Sequence, residues 1–302
     1  MPQRIVRVSC PDRPGLVSTI TTAFADRGMN IHQLDQFTNE HPHPQTGAPV
    51  HGAADGSFFF RAVVAAPEGR FETGQAVVDE FRRLRERLAN SLDGATVEIR
   101  PYPADLRVVV LASQTDHCLH EMIRRDQTGQ LGGRVVRVVG NHDAHRELCA
   151  FHGIDYEVVP HGELTKPEHE AAILAAIGTD VDVIVLARYM RILSDDFLQR
   201  APAPIINIHH SFLPSFIGAN PYQRAHDRGV KMIGATAHYV TADLDEGPII
   251  EQDVTRVDHG RSKTDLVKAG ADVERAVLHR AVQAHCEGRI FLDGDRTVVF
   301  SG

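Results

Sequence analysis

The amino-acid sequence predicts an α/β protein in which a small βαββαβ unit precedes an open, mostly parallel sheet. In the first hundred residues, two helical patterns are set among four strand-like runs. Beyond residue 106, short apolar runs of strand type alternate with helical segments, as in a parallel sheet wrapped by helices. The chain has 302 residues, 42% hydrophobic and 24% charged. This length and balance are typical of two folded domains.

The first unit begins with a strand at Arg4 and a helix that has apolar residues at helical spacing and ends at Gly28. Further strands are predicted at 30–39, 57–66 and 95–101, with an amphipathic helix at 71–90. The connection Glu40 to Gly56 is long for a loop between two strands. The predicted order is therefore βαββαβ.

A proline-rich hinge, PYPAD at 101–105, suggests a domain boundary, which gives predicted domains of residues 1–101 and 106–302. In the second domain, strand-like and helical segments alternate and are followed by a hairpin, a long helix and a terminal strand-like piece. The strands are predicted at 106–113, 133–141, 155–160, 181–187, 204–210, 232–240 and 247–257, and the helices at 117–125, 144–153, 167–178, 191–199 and 265–288.

Composition disfavours several classes of protein. The formal net charge is −8, so no global positive field points to nucleic acid. The four cysteines form no CxxC pair, which indicates a reducing compartment, and we expect the protein to be cytoplasmic. The N-terminus lacks the apolar core of a secretory signal, and no run approaches membrane length. Partners are therefore expected to be small molecules, with no nucleic acid and no membrane.

The run IINIHHSFLPSF places an amide and two imidazoles at the end of a predicted strand. Because residues two apart share a face of a strand, Asn207 and His209 are expected to point together into the crevice at the carboxyl edge of the sheet. An amide donor beside an imidazole suits acyl chemistry. The missing carboxylate is expected from Asp243, Asp245 or Glu246 in the loop of the late hairpin, where Gly247 allows close approach of the backbone.

Other interpretations of these residues are open at this point. A histidine at a strand end is often a hydrogen-bonded structural residue, and an aspartate before glycine is often a turn residue. A metal site is the main rival, although adjacent His209 and His210 project to opposite sides of a strand. No GxGxxG, Walker-type loop, GxSxG or HExxH motif occurs, which disfavours dinucleotide enzymes, P-loop NTPases, serine hydrolases and common zinc proteases.

Two long stretches resemble a known family. Residues 207–216 (NIHHSFLPSF) and the run from Gly218 through DLDEGPIIEQDV resemble the formyltetrahydrofolate-dependent formyltransferase domain, and within it the formyltetrahydrofolate deformylases. Residues 9–31 (SCPDRPGLVSTITTAFADRGMNI) are similar to an ACT domain. The resemblance implies a ferredoxin-like ACT regulatory domain followed by a formyltransferase (Rossmann-like) catalytic domain.

The resemblance also implies an activity and a site. Hydrolysis of 10-formyltetrahydrofolate to tetrahydrofolate and formate would be carried by Asn207, His209 and Asp245 without metal or other cofactor. It would supply formate for purine synthesis and balance one-carbon folate pools. The stretch ARYMRILS resembles the segment that lines a folate pocket. The implied folate-binding residues are Met190, Arg191, Ile192, Leu193 and His238, of which His238 is equally consistent with a structural role.

Two other functions remain open: formyl transfer to an amine acceptor, and a non-catalytic folate or amino-acid sensor. The first strand-to-helix loop, from Ser113, lacks the glycine-rich turn on which transformylases hold a phosphorylated acceptor. Gln223 and Arg224 differ from the residues that are usual at these positions in deformylases. The ACT resemblance implies a homo-oligomer and an amino-acid effector, with Gly15 and Asn30 as ligand-facing positions.

Overall fold

The computed structural model describes residues 2–39, 56–69, 73–162, 164–214 and 221–302. These residues form two units, one of Met1–Ala104 with Glu287–Gly302 and one of Asp105–Cys286. The predicted loop Glu40 to Gly56 lies outside the described residues except for Gly56.

The first unit contains the predicted βαββαβ order. Its elements are β1 Gln3–Pro11, α1 Leu16–Ala25, β2 Asn30–Asn39, β3 Ser57–Ala65, α2 Gly74–Ser91 and β4 Thr96–Tyr102. The strands form an antiparallel sheet in the order β2-β3-β1-β4. Phe24 of α1, Phe58 and Phe60 of β3, and Leu84 and Leu88 of α2 are fully buried in one cluster. Burial of such large apolar side chains drives the helices onto one face of the sheet.

The second unit is the predicted open α/β sheet. Its elements are β5 Leu106–Ala112, α3 His117–Gln127, β6 Gly133–Gly140, α4 Arg146–Phe151, β7 Asp155–Val158, α5 Lys166–Ile177, β8 Val183–Ala187, α6 Asp195–Arg200, β9 Ile205–His209, α7 Pro221–Arg228, β10 Met232–Tyr239, β11 Ile249–Arg256 and α8 Lys263–Cys286. The sheet order is β11-β10-β9-β8-β5-β6-β7. Strands β5 to β9 pair in parallel, whereas β10 is antiparallel to both of its neighbours. The predicted fold class is confirmed.

Two elements of the second unit differ from the prediction. The sixth helix begins at Asp195 and not at residue 191, because the Ser194 hydroxyl accepts from the Phe197 amide at 3.2 Å and caps the helix there. Helix α7 at Pro221–Arg228 was not predicted.

The C-terminal segment belongs to the first unit, whereas the predicted second domain ran to residue 302. Strands β12 Ile290–Asp293 and β13 Arg296–Val299 form a hairpin, where one strand-like piece was predicted. Phe291 and Phe300 pack on Phe59 of β3, and the buried Arg61 donates to the Glu287 carbonyl at 3.0 Å. The segment covers the second face of β3, which explains why every residue of that strand is buried. No proline-rich or glycine-rich hinge precedes the hairpin, so the sequence carried no boundary signal there.

Within the described part of the chain, no helix is long and apolar enough to cross a membrane. All four cysteines are buried, and none forms a disulfide.

Candidate active site

A cavity of about 630 Å³ opens at the carboxyl ends of β8 and β9 in the second unit. This is the edge at which an open α/β sheet generally binds its ligands. Asn207, His209, His238 and Asp245 line the cavity together, and we call these four residues the Asn207 cluster.

Neighbouring antiparallel strands place Asn207 beside His238. The two residues are direct partners in the β9–β10 register, and Asn207 Nδ2 lies 3.2 Å from His238 Nε2. His238 Nδ1 lies 2.9 Å from the Tyr239 carbonyl, which can only accept a hydrogen bond. The proton of neutral His238 therefore sits on Nδ1, and Nε2 accepts from the Asn207 amide. The second N–H of that amide can donate a hydrogen bond to a ligand in the cavity.

The imidazole of His209 is hydrogen-bonded to the described part of the chain through only one of its two ring nitrogens. Its Nδ1 lies 3.2 Å from Asp245 Oδ2, so the carboxylate accepts the Nδ1 proton. The residue is only 6% exposed. Its buried Nε2 has no hydrogen-bond partner among the described residues. A buried, oriented and unsatisfied ring nitrogen beside a cavity is the arrangement expected of a group that exchanges a proton with a ligand.

Asp245 lies in the loop between β10 and β11, and the backbone of this loop is constrained. Asp245 has a φ of 58°, in the left-handed region that aspartate tolerates better than most residues. The Tyr239 amide donates to the Pro248 carbonyl at 3.0 Å and closes the base of the loop. A Cβ at Gly247 would lie 1.8 Å from the Tyr239 oxygen, so glycine is required at this position.

The electrostatics of the cluster keep Asp245 ionised. Burial acts to raise its pKa, but the hydrogen bond from His209, together with the neighbouring His238, outweighs burial and holds the pKa well below its usual range. The second oxygen, Oδ1, lies 3.7 Å from His238 Nε2. Asp245 thus accepts from His209 through one oxygen, and its other oxygen lies near the second imidazole beyond hydrogen-bond distance.

His210 also lines the cavity, although strand alternation assigned it to the opposite side. The strand ends at His209, and alternation ends with it. The rings of His209 and His210 lie 5.2 Å apart between centroids. Burial, with the charge of Arg188 as a further cause, lowers the pKa of His210 to about 4. His210 is therefore neutral at physiological pH.

The predicted folate segment, Met190 to Leu193, lines the same cavity. Met190 and Ile192 are 60% and 63% exposed, so their apolar side chains are available for contact with a ligand. The Met190 amide donates to Ser113 Oγ at 3.1 Å, and the Arg191 amide donates to the Tyr189 carbonyl at 2.9 Å. Leu193 is partly buried against the sheet core. Of the two residues that differ from the deformylase pattern, Gln223 lines the cavity, whereas Arg224 is not among its described lining residues.

A second group of polar residues in this cavity was not predicted from the sequence. We call it the Arg188 network: His117, Arg188, Tyr222 and Glu274. The Glu274 carboxylate is buried and accepts from Tyr222 Oη at 2.5 Å and from His117 Nε2 at 2.8 Å. Arg188 Nε lies 3.5 Å from the same carboxylate. One signal was available in the sequence: Glu274 falls on the apolar face of α8, four residues after Gly270 and four before Leu278.

Three of the described residues, His117, Cys118 and Glu274, bring potential metal-ligand atoms within 4.8 Å of one another. The set is a poor metal site on its chemistry. Both oxygens of Glu274 already accept hydrogen bonds, and burial raises the pKa of the Cys118 thiol well above its usual value. A metal ligand must be a thiolate, so Cys118 is unsuited to that role.

The first unit has a smaller cavity of about 320 Å³. Gly15, one of the two predicted ligand-facing positions, lies on its wall with a φ of 90°. Asp12, Ser18 and Gln36 add polar groups to the lining. Asn30, the other predicted position, begins β2 and is not among the described lining residues.

Comparison with known proteins agrees with this architecture. A family model described as Formyl transferase matches residues 106–282, and an ACT domain model matches residues 4–66. Formyltetrahydrofolate deformylase of Mycobacterium tuberculosis is 44% identical over 292 residues, which are 96% of this chain and 88% of that protein.

Solved structures give the same result. A formyltetrahydrofolate deformylase from Pseudomonas syringae pv. tomato superposes with a TM-score of 0.87 at 37% identity, and the match covers 100% of this chain and 95% of that one. The corresponding protein of Burkholderia mallei gives a TM-score of 0.86 at 39% identity, with both chains covered completely. The similarity therefore extends through both units.

Proposed function

This chain belongs to the formyltetrahydrofolate deformylase family, and we infer from that membership and from its cavity that it hydrolyses 10-formyltetrahydrofolate to tetrahydrofolate and formate. The observation that carries the inference is the His209 imidazole. One of its nitrogens is fixed by an ionised aspartate, and the other faces a cavity beside an amide donor.

Asn207 and protonated His209 donate to the formyl oxygen as it becomes an oxyanion. The free N–H of the Asn207 amide and the Nε2–H of His209 are the two donors. Both are held by neighbours before substrate arrives, so they need no reorganisation during the reaction. Removing one such donor costs on the order of 100- to 1,000-fold in turnover.

Asp245 supports the proton transfers. A water oxygen attacks the formyl carbon and forms the new C–O bond. The bond from that carbon to N10 then breaks, and one water proton ends on N10. Asp245 accepts from His209 and holds the imidazolium in position, and it lies close enough to this ring to help orient the water. His238 is a positioning residue, because it contacts both Asn207 and Asp245.

The folate is bound beside this cluster by Met190, Arg191, Ile192 and Leu193. Exposed Met190 and Ile192 supply apolar contact with the pterin ring, and the backbone around Arg191 and Leu193 supplies its polar partners. No metal takes part in this mechanism. Formate release is accordingly expected to survive exhaustive chelation, and elemental analysis of the purified protein checks that the preparation is metal-free.

We also propose a cellular role and a form of regulation. The formate supplies purine synthesis, and its release balances the one-carbon folate pools, in a reducing cytoplasmic compartment. The cavity lined by Gly15 binds an amino-acid effector, and the protein acts as a homo-oligomer. Formate production measured with and without glycine or methionine, together with the mass in solution, tests these points.

The test of the main proposal is formate release by the purified chain and by its Asp245→Asn and His209→Ala variants. We expect turnover to fall at least about 100-fold in each. His226→Ala, at an exposed histidine of α7 outside the cavity lining, is the matched control and should keep wild-type turnover. Near-normal formate release by either cluster variant would refute the assignment.

A further inference from the structure

Arg188 is a cation placed where the fold does little to satisfy it. Its side chain is 15% exposed and lines the same cavity as Asn207 and His209. Nε and Nη1 are buried, and neither has a hydrogen-bond partner among the described residues. Nε reaches Glu274 only at the 3.5 Å of a loose ion pair. Buried guanidinium N–H groups without acceptors are costly, and an acceptor on a cavity occupant would remove that cost.

The backbone conformation of Arg188 indicates that its side chain is needed. Arg188 has a φ of 59°, which is the conformation that glycine adopts without penalty and that costs other residues on the order of 1 kcal/mol. Arg188 directly follows β8 and precedes the folate segment. A residue that strains the turn and leaves N–H groups unsatisfied contributes little to stability, which points to function.

Three residues from separate helices place a fixed counter-charge beside the arginine. Glu274 of α8 supplies the counter-charge, and its pKa is lowered: burial opposes ionisation, but the bond from His117 and the charge of Arg188 outweigh it. Tyr222 of α7 and His117 of α3 anchor the carboxylate. A Cβ at Gly270 would lie 1.9 Å from the Tyr222 oxygen, so α8 leaves room for this hydroxyl.

We propose that Arg188 is a specificity-determining residue, which fills the acceptor side of the cavity and restricts attack on the formyl carbon to water. By the acceptor side we mean the part lined by the Arg188 network, in contrast to the part lined by Met190 to Leu193. The proposal rests on the proposed function, because it concerns which nucleophile that reaction uses.

The chemistry of the guanidinium supports this choice of nucleophile. Aliphatic amines are mostly protonated at neutral pH, and a fixed guanidinium disfavours the approach of an ammonium ion. A water molecule is neutral and small, and its oxygen can accept from the free N–H groups. With water, the formyl carbon gains a C–O bond, loses its bond to N10, and formate leaves. With an amine in its place, the carbon would gain a C–N bond and a formamide would leave.

The test is the partition of the formyl group between water and hydroxylamine, a small nucleophile that is neutral at pH 7 and therefore reports on the space that the Arg188 side chain fills. Wild-type protein, Arg188→Gly and Arg188→Lys are incubated with 10-formyltetrahydrofolate and a fixed hydroxylamine concentration. Formate and formohydroxamate are then quantified against an enzyme-free blank. We expect the ratio of formohydroxamate to formate to rise at least tenfold in Arg188→Gly and to stay near the wild-type value in Arg188→Lys.

Asp105→Gly is the matched control, because Asp105 also has a positive φ, of 42°, but lies outside the cavity lining. It should leave the ratio and the formate turnover unchanged. An unchanged ratio in folded Arg188→Gly overturns the proposal, as does loss of both products, which would place Arg188 in the bond-breaking step. If Arg188→Gly does not fold, Tyr222→Phe is measured; it should raise the ratio, and an unchanged ratio overturns the proposal.

Wild-type formate release tests the proposed function separately. A wild type that makes no formate contradicts the proposed hydrolysis, whereas an unchanged partition in an active variant contradicts only the role of Arg188.

Discussion

Two polar groups face the same cavity and differ in how they are assembled. The Asn207 cluster comes from two adjacent strands and the loop after the second strand, with an ionised aspartate at its centre and an unsatisfied imidazole nitrogen toward the cavity. The Arg188 network joins three helices and the turn after β8, and its outermost residues, His117 and Glu274, are 157 positions apart. Its carboxylate is satisfied, and its cation is left with free donors. We infer that the Asn207 cluster performs the chemistry and that the Arg188 network shapes the space around it.

The largest expected effect on stability separates the two groups. Glu274→Gln keeps the shape of the side chain but leaves the buried Arg188 without its counter-charge. Loss of one partner of a buried pair typically costs about 3 kcal/mol or more. We therefore expect the free energy of unfolding, measured by chemical denaturation at pH 7, to fall by about that amount.

Asp196→Asn provides the comparison for this variant. Asp196 pairs with Arg200 at 3.0 Å on the exposed side of α6, and loss of a surface pair should change stability little. Equal losses in the two variants would show that the buried Arg188 does not need Glu274 as its counter-charge.

Gly247→Ala is expected to act on the Asn207 cluster with little effect on the Arg188 network. The new Cβ would press on the Tyr239 carbonyl, which fixes the tautomer of His238. A misplacement near 1 Å in a catalytic group can cost about 100-fold, so we expect kcat for formate release to fall by up to that factor. Gly162→Ala is the control, since its Cβ meets open space. Wild-type kcat in Gly247→Ala would show that His238 needs no such support.

The smallest expected effect concerns His210, which lies between the two groups. Its folded-state pKa of about 4 is below the ordinary histidine value near 6.5. Because the unfolded chain then binds a proton more readily than the folded one, stability should fall as the pH drops from about 6.5 to 4. The loss is on the order of 2 kcal/mol.

Denaturation of wild type and His210→Asn at pH 7 and pH 5 measures this effect. The variant should lose less stability on acidification than the wild type. His226→Asn, at an exposed histidine, should retain the wild-type pH dependence. An identical acid response in wild type and His210→Asn would contradict the assigned burial effect.

The same contrast explains how much of the molecule could be predicted from sequence. Strand and helix periodicity predicted the fold class, and strand alternation together with a glycine-containing loop predicted that Asn207, His209 and a carboxylate would converge. These residues belong to β9 and to the loop after β10, the neighbouring strand of the same sheet, so local patterns carry the information. The family resemblance added the choice of Asp245 and the folate segment, and the geometry places all of these residues on one cavity.

The Arg188 network could not be predicted in this way, because its members meet only through tertiary packing. Arg188 lies in the ARYMRILS segment, in which only Met190 to Leu193 were predicted to contact folate. Tyr222 directly precedes Gln223 and Arg224, the two positions that differ from the deformylase pattern. Glu274 on an apolar helix face was a usable signal, because a buried carboxylate requires partners. The C-terminal hairpin was missed for a similar reason: its return to the first unit depends on Phe59 and Arg61, far earlier in the chain.

The most direct test of the account is the origin of the formate oxygen. The purified chain is incubated at neutral pH with 10-formyltetrahydrofolate in water enriched in ¹⁸O, and the formate is analysed by mass spectrometry. Attack by water at the cavity of the Asn207 cluster predicts one solvent oxygen in each formate released, with an equal amount of tetrahydrofolate formed. Formate without solvent oxygen, or no formate above an enzyme-free blank, would contradict the account.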